Sequence, residues 1–91
     1  MAAVEVDPAK DAINQRKHGI ALAAAAVLFR GPILRQPDGR FDYGEDRWLA
    51  VGRTGDQVFT ACYSMRGRVY RIIGLRRASR KERRAYAQAY P

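Results

Sequence analysis

Residues 68–90, RVYRIIGLRRASRKERRAYAQAY, join two patterns that decide the fold. In the first half, residues 68–77, the type of side chain alternates from one position to the next, as is typical of a β-strand. The second half begins with Ser79 and Glu82 at the spacing of a capping box, in which the two residues satisfy free N–H groups at the start of a helix. We therefore predict a folded strand followed by a helix, rather than a disordered basic tail.

Helix signals predict the elements at the start of the chain. Residues 3–6, AVEV, indicate a short strand. Asp7 and Pro8 suit the start of a first helix, and Gly19 suits the left-handed position just after its end. Residues 21–29, ALAAAAVLF, predict a second, alanine-rich helix, which the following Gly-Pro pair ends.

The middle of the chain predicts β-structure. Residues 47–54 and 58–65 form a predicted hairpin that turns at Gly55 and Asp56. A second turn, at Arg66 and Gly67, leads into the strand of residues 68–77.

The predicted order is β-α-α-β-β-β-α, with one more short strand possible at residues 32–36 and a turn-rich, acidic loop at residues 36–46. We expect a single α+β domain that spans residues 1–91. Helices would pack against one face of a small, mainly antiparallel sheet, formed by a meander of three or four strands and the N-terminal strand.

The net charge of +8 is unevenly placed along the chain. Residues 1–65 contain eight Lys or Arg and eight Asp or Glu, whereas residues 66–91 contain nine bases and one acid. A one-sided basic field suits a polyanion such as RNA, since binding to phosphates releases counterions. An acidic protein or an anionic membrane surface would also suit it.

Cysteine content and hydropathy indicate a cytoplasmic protein without a membrane span. The single cysteine, Cys62, cannot form an internal disulfide bond. The longest apolar run, residues 20–29, has 10 residues, whereas a membrane-spanning helix needs about 20.

Strand alternation divides the arginines of residues 68–77 between two faces of the sheet. Arg71 would lie on one face, and Gly74 and Arg76 on the other, unless the strand bulges or ends near Gly74. The preceding strand would bring Tyr63 near some of these arginines. A sheet face with Arg and Tyr can hold phosphates and stack bases, although arginines on a half-exposed strand can also serve only for solubility.

His18 is the only histidine, and it lies next to Lys17. A histidine can act as a general base that deprotonates a ribose 2′-OH, and a lysine can stabilise the charge on phosphorus. His18 can equally just end a helix by bonding a carbonyl of the last turn. Asp42, Glu45 and Asp46 form an acidic cluster, which we interpret as solvated, and a single His with a single Cys does not indicate zinc. We predict no metal and no cofactor.

Several segments together resemble one protein family. They are VDPAK, the NxxKHG motif of Asn14 to Gly19, FxxP, RxxxVG, YxxRG and RIIGLRRASRKERRAY. This combination, which extends from about Val4 to Tyr86, resembles the BrnT family of ribonuclease toxins from bacterial type II toxin–antitoxin systems.

The resemblance implies a fold similar to RelE-type ribonuclease toxins and a metal-independent cleavage of RNA that stops translation. It implies an antitoxin partner with a ribbon-helix-helix domain, a heterotetramer of two toxins and two antitoxins, and contact with operator DNA only through the antitoxin. From the family motifs and the basic strand together, the predicted catalytic residues are Lys17, His18, Arg53, Tyr63 and Arg76. The predicted RNA-binding residues are Arg68, Arg71, Arg77, Arg80, Lys81 and Arg84, and the predicted supporting residues are Glu82 and Tyr86.

Two other classes of function share the basic surface. A non-catalytic nucleic-acid-binding module, including an inactivated relative of the toxins, would bind RNA and leave it intact. A protein-interaction module would use the same strand and helix to bind an acidic segment of a partner.

Overall fold

The structure is a computed structural model, and it describes residues 3–39 and 46–91. A short 3₁₀ turn, Leu22–Ala24, leads directly into the second helix. The elements are β1 (Ala3–Val6), α1 (Pro8–His18), α2 (Ala25–Leu28), β2 (Leu34–Pro37), β3 (Trp48–Thr54), β4 (Gln57–Arg66), β5 (Val69–Arg77) and α3 (Arg80–Ala89).

The five strands form one sheet in the order β1-β5-β4-β3-β2. Strands β2 to β5 are an antiparallel meander, and β2 occupies the place where a further short strand was considered possible. The sheet is mixed, because β1 runs parallel to β5. The predicted α+β class is confirmed, whereas the predicted order included the strand at the position of β2 only as a possibility.

The helix and turn signals lie where the sequence predicted them. The Asp7 side chain accepts a hydrogen bond from the N–H of Ala9, and Gly19 ends α1 with a φ of 69°. Gly55 and Gly67 also have positive φ, at 62° and 61°, in the two hairpin turns. The second turn lies one residue later than predicted, because Arg66 still pairs with Val69.

The second helix is shorter than predicted, at four residues after one 3₁₀ turn. No side chain caps its start, since alanine has no group that could accept from the free N–H groups. Leu22, Ala25 and Leu28 are buried. Their spacing of three residues lets one side of the 3₁₀ turn and α2 pack on the sheet.

The helices pack on both faces of the sheet, which corrects the expectation of helices on one face. On the first face, called here the core face, Leu22 and Leu28 pack against Ala61 and Leu75. On the opposite face, called here the groove face, Tyr86 of α3 packs with Val51, Ala78, Leu34 and Val58.

Helix α1 lies at the outer edge of β5, beyond the end of β1. Strand β1 pairs with β5 only as far as Ile72. The edge of β5 beyond that residue contacts α1 instead. This arrangement brings the last turn of α1 to the rim of the groove face.

Asp42 and Glu45, which form the predicted acidic cluster with Asp46, lie outside the described residues. Within residues 3–39 and 46–91, no helix is long and apolar enough to cross a membrane.

Candidate functional site

The last turn of α1 and the groove face of the sheet enclose a groove of about 310 Å³. Lys17 and His18 come from α1, and Gly74 and Arg76 come from β5. The full lining is Asn14, Lys17, His18, Leu49, Thr60, Cys62, Gly74, Leu75 and Arg76. Three of the five residues predicted as catalytic, Lys17, His18 and Arg76, are therefore in one groove.

Asn14 fixes α1 to the free edge of β5. Its side-chain amide donates to the carbonyl oxygen of Leu75 at 2.9 Å, and its Oδ1 accepts from the N–H of Leu75 at 3.1 Å. The same amide also donates to the carbonyl oxygen of Ile20 at 2.8 Å. Asn14 thus pairs with the sheet edge as a further strand would, one helical turn before His18.

Arg76 is held in place by a bidentate ion pair. Its two terminal nitrogens donate to the two carboxylate oxygens of Glu82 at 2.7 and 3.0 Å. Glu82 also completes the capping box of α3, because its carboxylate accepts from the N–H of Ser79. The start of α3 and the end of β5 are joined through this carboxylate, which orients the Arg76 guanidinium at the end of the groove.

Glu82 is a strongly stabilised anion. Burial by itself would raise the pKa of its carboxyl, but the hydrogen bonds from Arg76 and Ser79 outweigh it. The Thr60 hydroxyl, which lies nearby without a short hydrogen bond, and the positive charge of Arg76 act in the same direction. The pKa falls to about 2, so Glu82 is ionised at neutral pH and is poorly suited to act as a base.

Tyr63 does not reach the groove. It lies on the core face and is 1% exposed, in edge contact with the rings of Phe29 and Tyr70. Burial raises the pKa of its hydroxyl, and the charge of Arg35, 5.9 Å from the ring centre, opposes this effect. The structure thus places this predicted catalytic residue in the core.

Arg53 lies on the groove face but outside the groove. It is exposed at the end of β3, opposite Val58. Two residues earlier on the same strand, Val51 is opposite Thr60, which does line the groove. Arg53 is therefore on the same face of the sheet as the groove but does not join Lys17 and His18 in its lining.

The predicted RNA-binding residues are spread over several elements. Arg68 is exposed in the turn before β5, and Arg71 is half-buried on β5. Arg77, Arg80, Lys81 and Arg84 are exposed at the end of β5 and on α3. Tyr86, predicted as supporting, is buried, and its hydroxyl donates to the carbonyl oxygen of Pro32 at 2.8 Å, so it fastens α3 to the sheet.

The floor of the groove contains polar groups that were not among the predicted site residues. Thr60 is buried, and Cys62 is half-buried with its Sγ 3.6 Å from Oδ2 of the buried Asp38. Across residues 3–39 and 46–91, no three His, Cys, Asp or Glu side chains come together as a metal site would require.

Asn14 had no predicted role beyond its place in the NxxKHG motif. The signal that could have found it is its position four residues before His18, on the same side of α1. A polar residue that faces the sheet from that position needs hydrogen-bond partners.

The side chains that line the groove are chemically suited to bind a phosphodiester. The groove offers a guanidinium, an ammonium and an imidazole around a floor in which Gly74 has no side chain, so a backbone phosphate can approach closely. An imidazole or ammonium at the rim can exchange a proton with an oxygen of that phosphodiester.

A comparison with known protein families finds a match over most of the chain. The family model described as "Ribonuclease toxin, BrnT, of type II toxin-antitoxin system" matches residues 7–82 of the chain. None of the curated proteins matches the chain.

Proposed function

Because the chain belongs to the BrnT family of ribonuclease toxins of type II toxin–antitoxin systems, we propose that it is an endoribonuclease and that the groove between α1 and β5 is its active site. The observation that carries the proposal is that Lys17, His18 and Arg76 line one groove, in which Asn14 joins α1 to β5 and Glu82 pairs with Arg76.

The proposed reaction needs no metal. The 2′-oxygen of a ribose attacks the adjacent phosphorus while a base removes its proton, and the bond from phosphorus to the 5′-oxygen breaks. The leaving 5′-oxygen takes a proton from an acid, which yields a cyclic 2′,3′-phosphate and a 5′-hydroxyl. Arg76 binds the non-bridging oxygens, where negative charge builds up in the transition state.

In this proposal, His18 takes part in proton transfer and Lys17 stabilises the negative charge of the phosphate. His18 is half-buried on the rim, and histidine is the side chain most often used as a general acid or base. Lys17 is exposed and can reach the phosphate. Arg53 binds RNA beside the groove, and Tyr63 supports the sheet from the core.

The family implies an antitoxin partner and an RNA substrate. We extend this to an antitoxin with a ribbon-helix-helix domain, a complex of two toxins and two antitoxins, and operator binding through the antitoxin alone. Cleavage of messenger RNA would stop translation. A fold similar to RelE-type toxins is part of the same proposal, and the mixed sheet with helices on both faces is compatible with it.

Inducible expression in bacteria, with and without the neighbouring open reading frame, tests the proposal. We expect growth arrest and RNA fragments without the neighbour, and neither with it. His18→Gln, Lys17→Gln and Arg76→Gln should each restore growth, because they remove a groove residue. Arg16→Gln is the matched control for Lys17→Gln, since Arg16 is exposed on the same turn of α1 but does not line the groove.

Cleavage by the purified protein in the presence of EDTA tests the metal-independent mechanism, and 5′-hydroxyl ends on the products test the direction of attack. Growth arrest that persists in all three groove variants would place the active site elsewhere. Binding of RNA without cleavage would favour a non-catalytic module.

A further inference from the structure

A one-residue β-bulge brings Arg71 onto the groove face of the sheet. On β4, Cys62 pairs with Gly74, but the next residue, Tyr63, pairs with Ile72. The intervening Ile73 therefore has no partner on β4. The extra residue reverses the alternation, so Arg71, Gly74 and Arg76 all lie on one face of β5.

Arg71 is a half-buried cation at the far end of this face. It lies opposite Ser64, which is 6% exposed. Glu5 of β1 is paired directly with Arg71. Its carboxylate forms an ion pair with Arg66 at 3.5 Å. Within residues 3–39 and 46–91, the structure gives Arg71 no ion pair, whereas the Arg76 side chain is fixed by its carboxylate partner.

The distance between the two arginines suits a stretch of RNA. Arg71 lies opposite Ser64 and Arg76 lies opposite Thr60, so four residues of β4 separate them, about 13 Å at about 3.3 Å per residue. A stacked single strand has a phosphate about every 3.4 Å along its axis, and an extended strand has fewer phosphates over the same length. The distance between the two arginines therefore spans a few nucleotides. Between the arginines, Gly74 leaves the floor open.

We propose that Arg71 forms a second phosphate subsite and that single-stranded RNA runs along β5, from Arg76 at the scissile phosphate to Arg71 a few nucleotides away. The subsite binds the backbone and does not read bases, so it adds affinity without sequence preference. This inference rests on the proposed function for the position of the scissile phosphate.

Oligonucleotides with 2′-O-methyl groups test the subsite without any cleavage, because the methyl group blocks the attacking oxygen. We would measure by fluorescence anisotropy the affinity of a dinucleotide and an octanucleotide for the wild type and for Arg71→Gln. The matched control is Arg30→Gln, which removes an exposed charge just after α2, the helix that packs on the core face.

The octanucleotide should bind Arg71→Gln about 5- to 20-fold more weakly than wild type, with the slope of log affinity against log salt reduced by about one. The dinucleotide should bind both proteins equally, which also shows that the variant is folded. Arg30→Gln should change either affinity by less than about twofold, because this exposed charge lies off the proposed RNA path.

An equal loss for both lengths, an equal loss in Arg30→Gln, or no loss would overturn the subsite. Absence of wild-type binding to the octanucleotide would overturn it as well. Length-dependent binding by a protein that cleaves no unmodified RNA would leave the subsite standing and refute the proposed enzymatic activity alone.

Discussion

The Arg76–Glu82 ion pair gives the structure a pH-dependent component of stability that can be isolated with one substitution. Glu82→Gln removes the charge and keeps the shape of the side chain. A glutamine also supports a capping box, so the start of α3 should be retained. The change therefore tests the ion pair rather than the helix.

The magnitude follows from the pKa of Glu82. A fall from an ordinary value of 4.5 to about 2 corresponds to about 3 kcal/mol, at about 1.4 kcal/mol for each tenfold change in proton affinity. The Arg76 side chain remains 32% exposed, and solvent screening of so accessible a pair reduces the contribution to about 1–2 kcal/mol. For a domain of this size, that loss lowers Tm by about 5–15 °C.

The sign of the pH dependence is fixed by the direction of the shift. Because the pKa of Glu82 is lower in the folded state than in the unfolded state, the contribution is fully present above pH 4.5 and is lost as the pH falls toward about 2. Wild type and Glu82→Gln should differ by the full amount at pH 7 and by roughly half of it or less at pH 3.

Urea denaturation of both proteins at pH 7 and pH 3 measures this difference. The control is Glu5→Gln, which breaks the exposed Glu5–Arg66 pair at 3.5 Å and should change stability little at either pH, because exposed ion pairs contribute little. A Glu82→Gln deficit of the same size at both pH values would refute the electrostatic reasoning, and so would the absence of a deficit at pH 7.

Three further substitutions test other contacts by urea denaturation. Asn14→Ala should lower the free energy of unfolding by about 2–3 kcal/mol, since it leaves the buried N–H and carbonyl of Leu75 without partners; a loss below about 1 kcal/mol would contradict this role. Gly52→Ala should cost about 1 kcal/mol or more, because its new Cβ would lie 3.3 Å from Leu28, and an unchanged stability would show that α2 moves freely. Tyr86→Phe should cost about 1 kcal/mol through its lost hydrogen bond, and a neutral result would mean that the hydroxyl does not fasten α3.

The caps and turns of this chain could be predicted from the sequence because their physics is local. Asp7 and Ser79 hydrogen-bond to N–H groups two and three residues away. Gly55 and Gly67 supply the positive φ that short hairpin turns require. None of these decisions depends on distant parts of the chain.

The faces of the strands were harder to predict because both faces of β5 carry arginine. Strand alternation puts Phe59, Ala61 and Tyr63 on one face of β4, as in the structure, but nothing in the pattern decided which face would be buried. The structure buries the aromatic face against α2. Tyr63 is therefore in the core, on the opposite side of the sheet from Arg76.

The role of Asn14 required knowledge of tertiary structure. Its partner, Leu75, is 61 residues away in the sequence. The hydrogen bonds exist only because β1 stops pairing at Ile72 and leaves the next part of β5 without a neighbour. A sequence pattern shows that an asparagine lies on α1, but it does not show that a strand edge will be free beside it.

The short β1 strand and the bulge in β5 act together to form the candidate site. Had β1 continued past Val6, it would have occupied the edge that Asn14 now binds, and α1 could not place Lys17 and His18 beside Gly74. Without the extra residue in β5, Arg71 would lie on the core face, among apolar side chains where its charge would be costly. Two irregularities in the sheet thus determine which cations share the groove face.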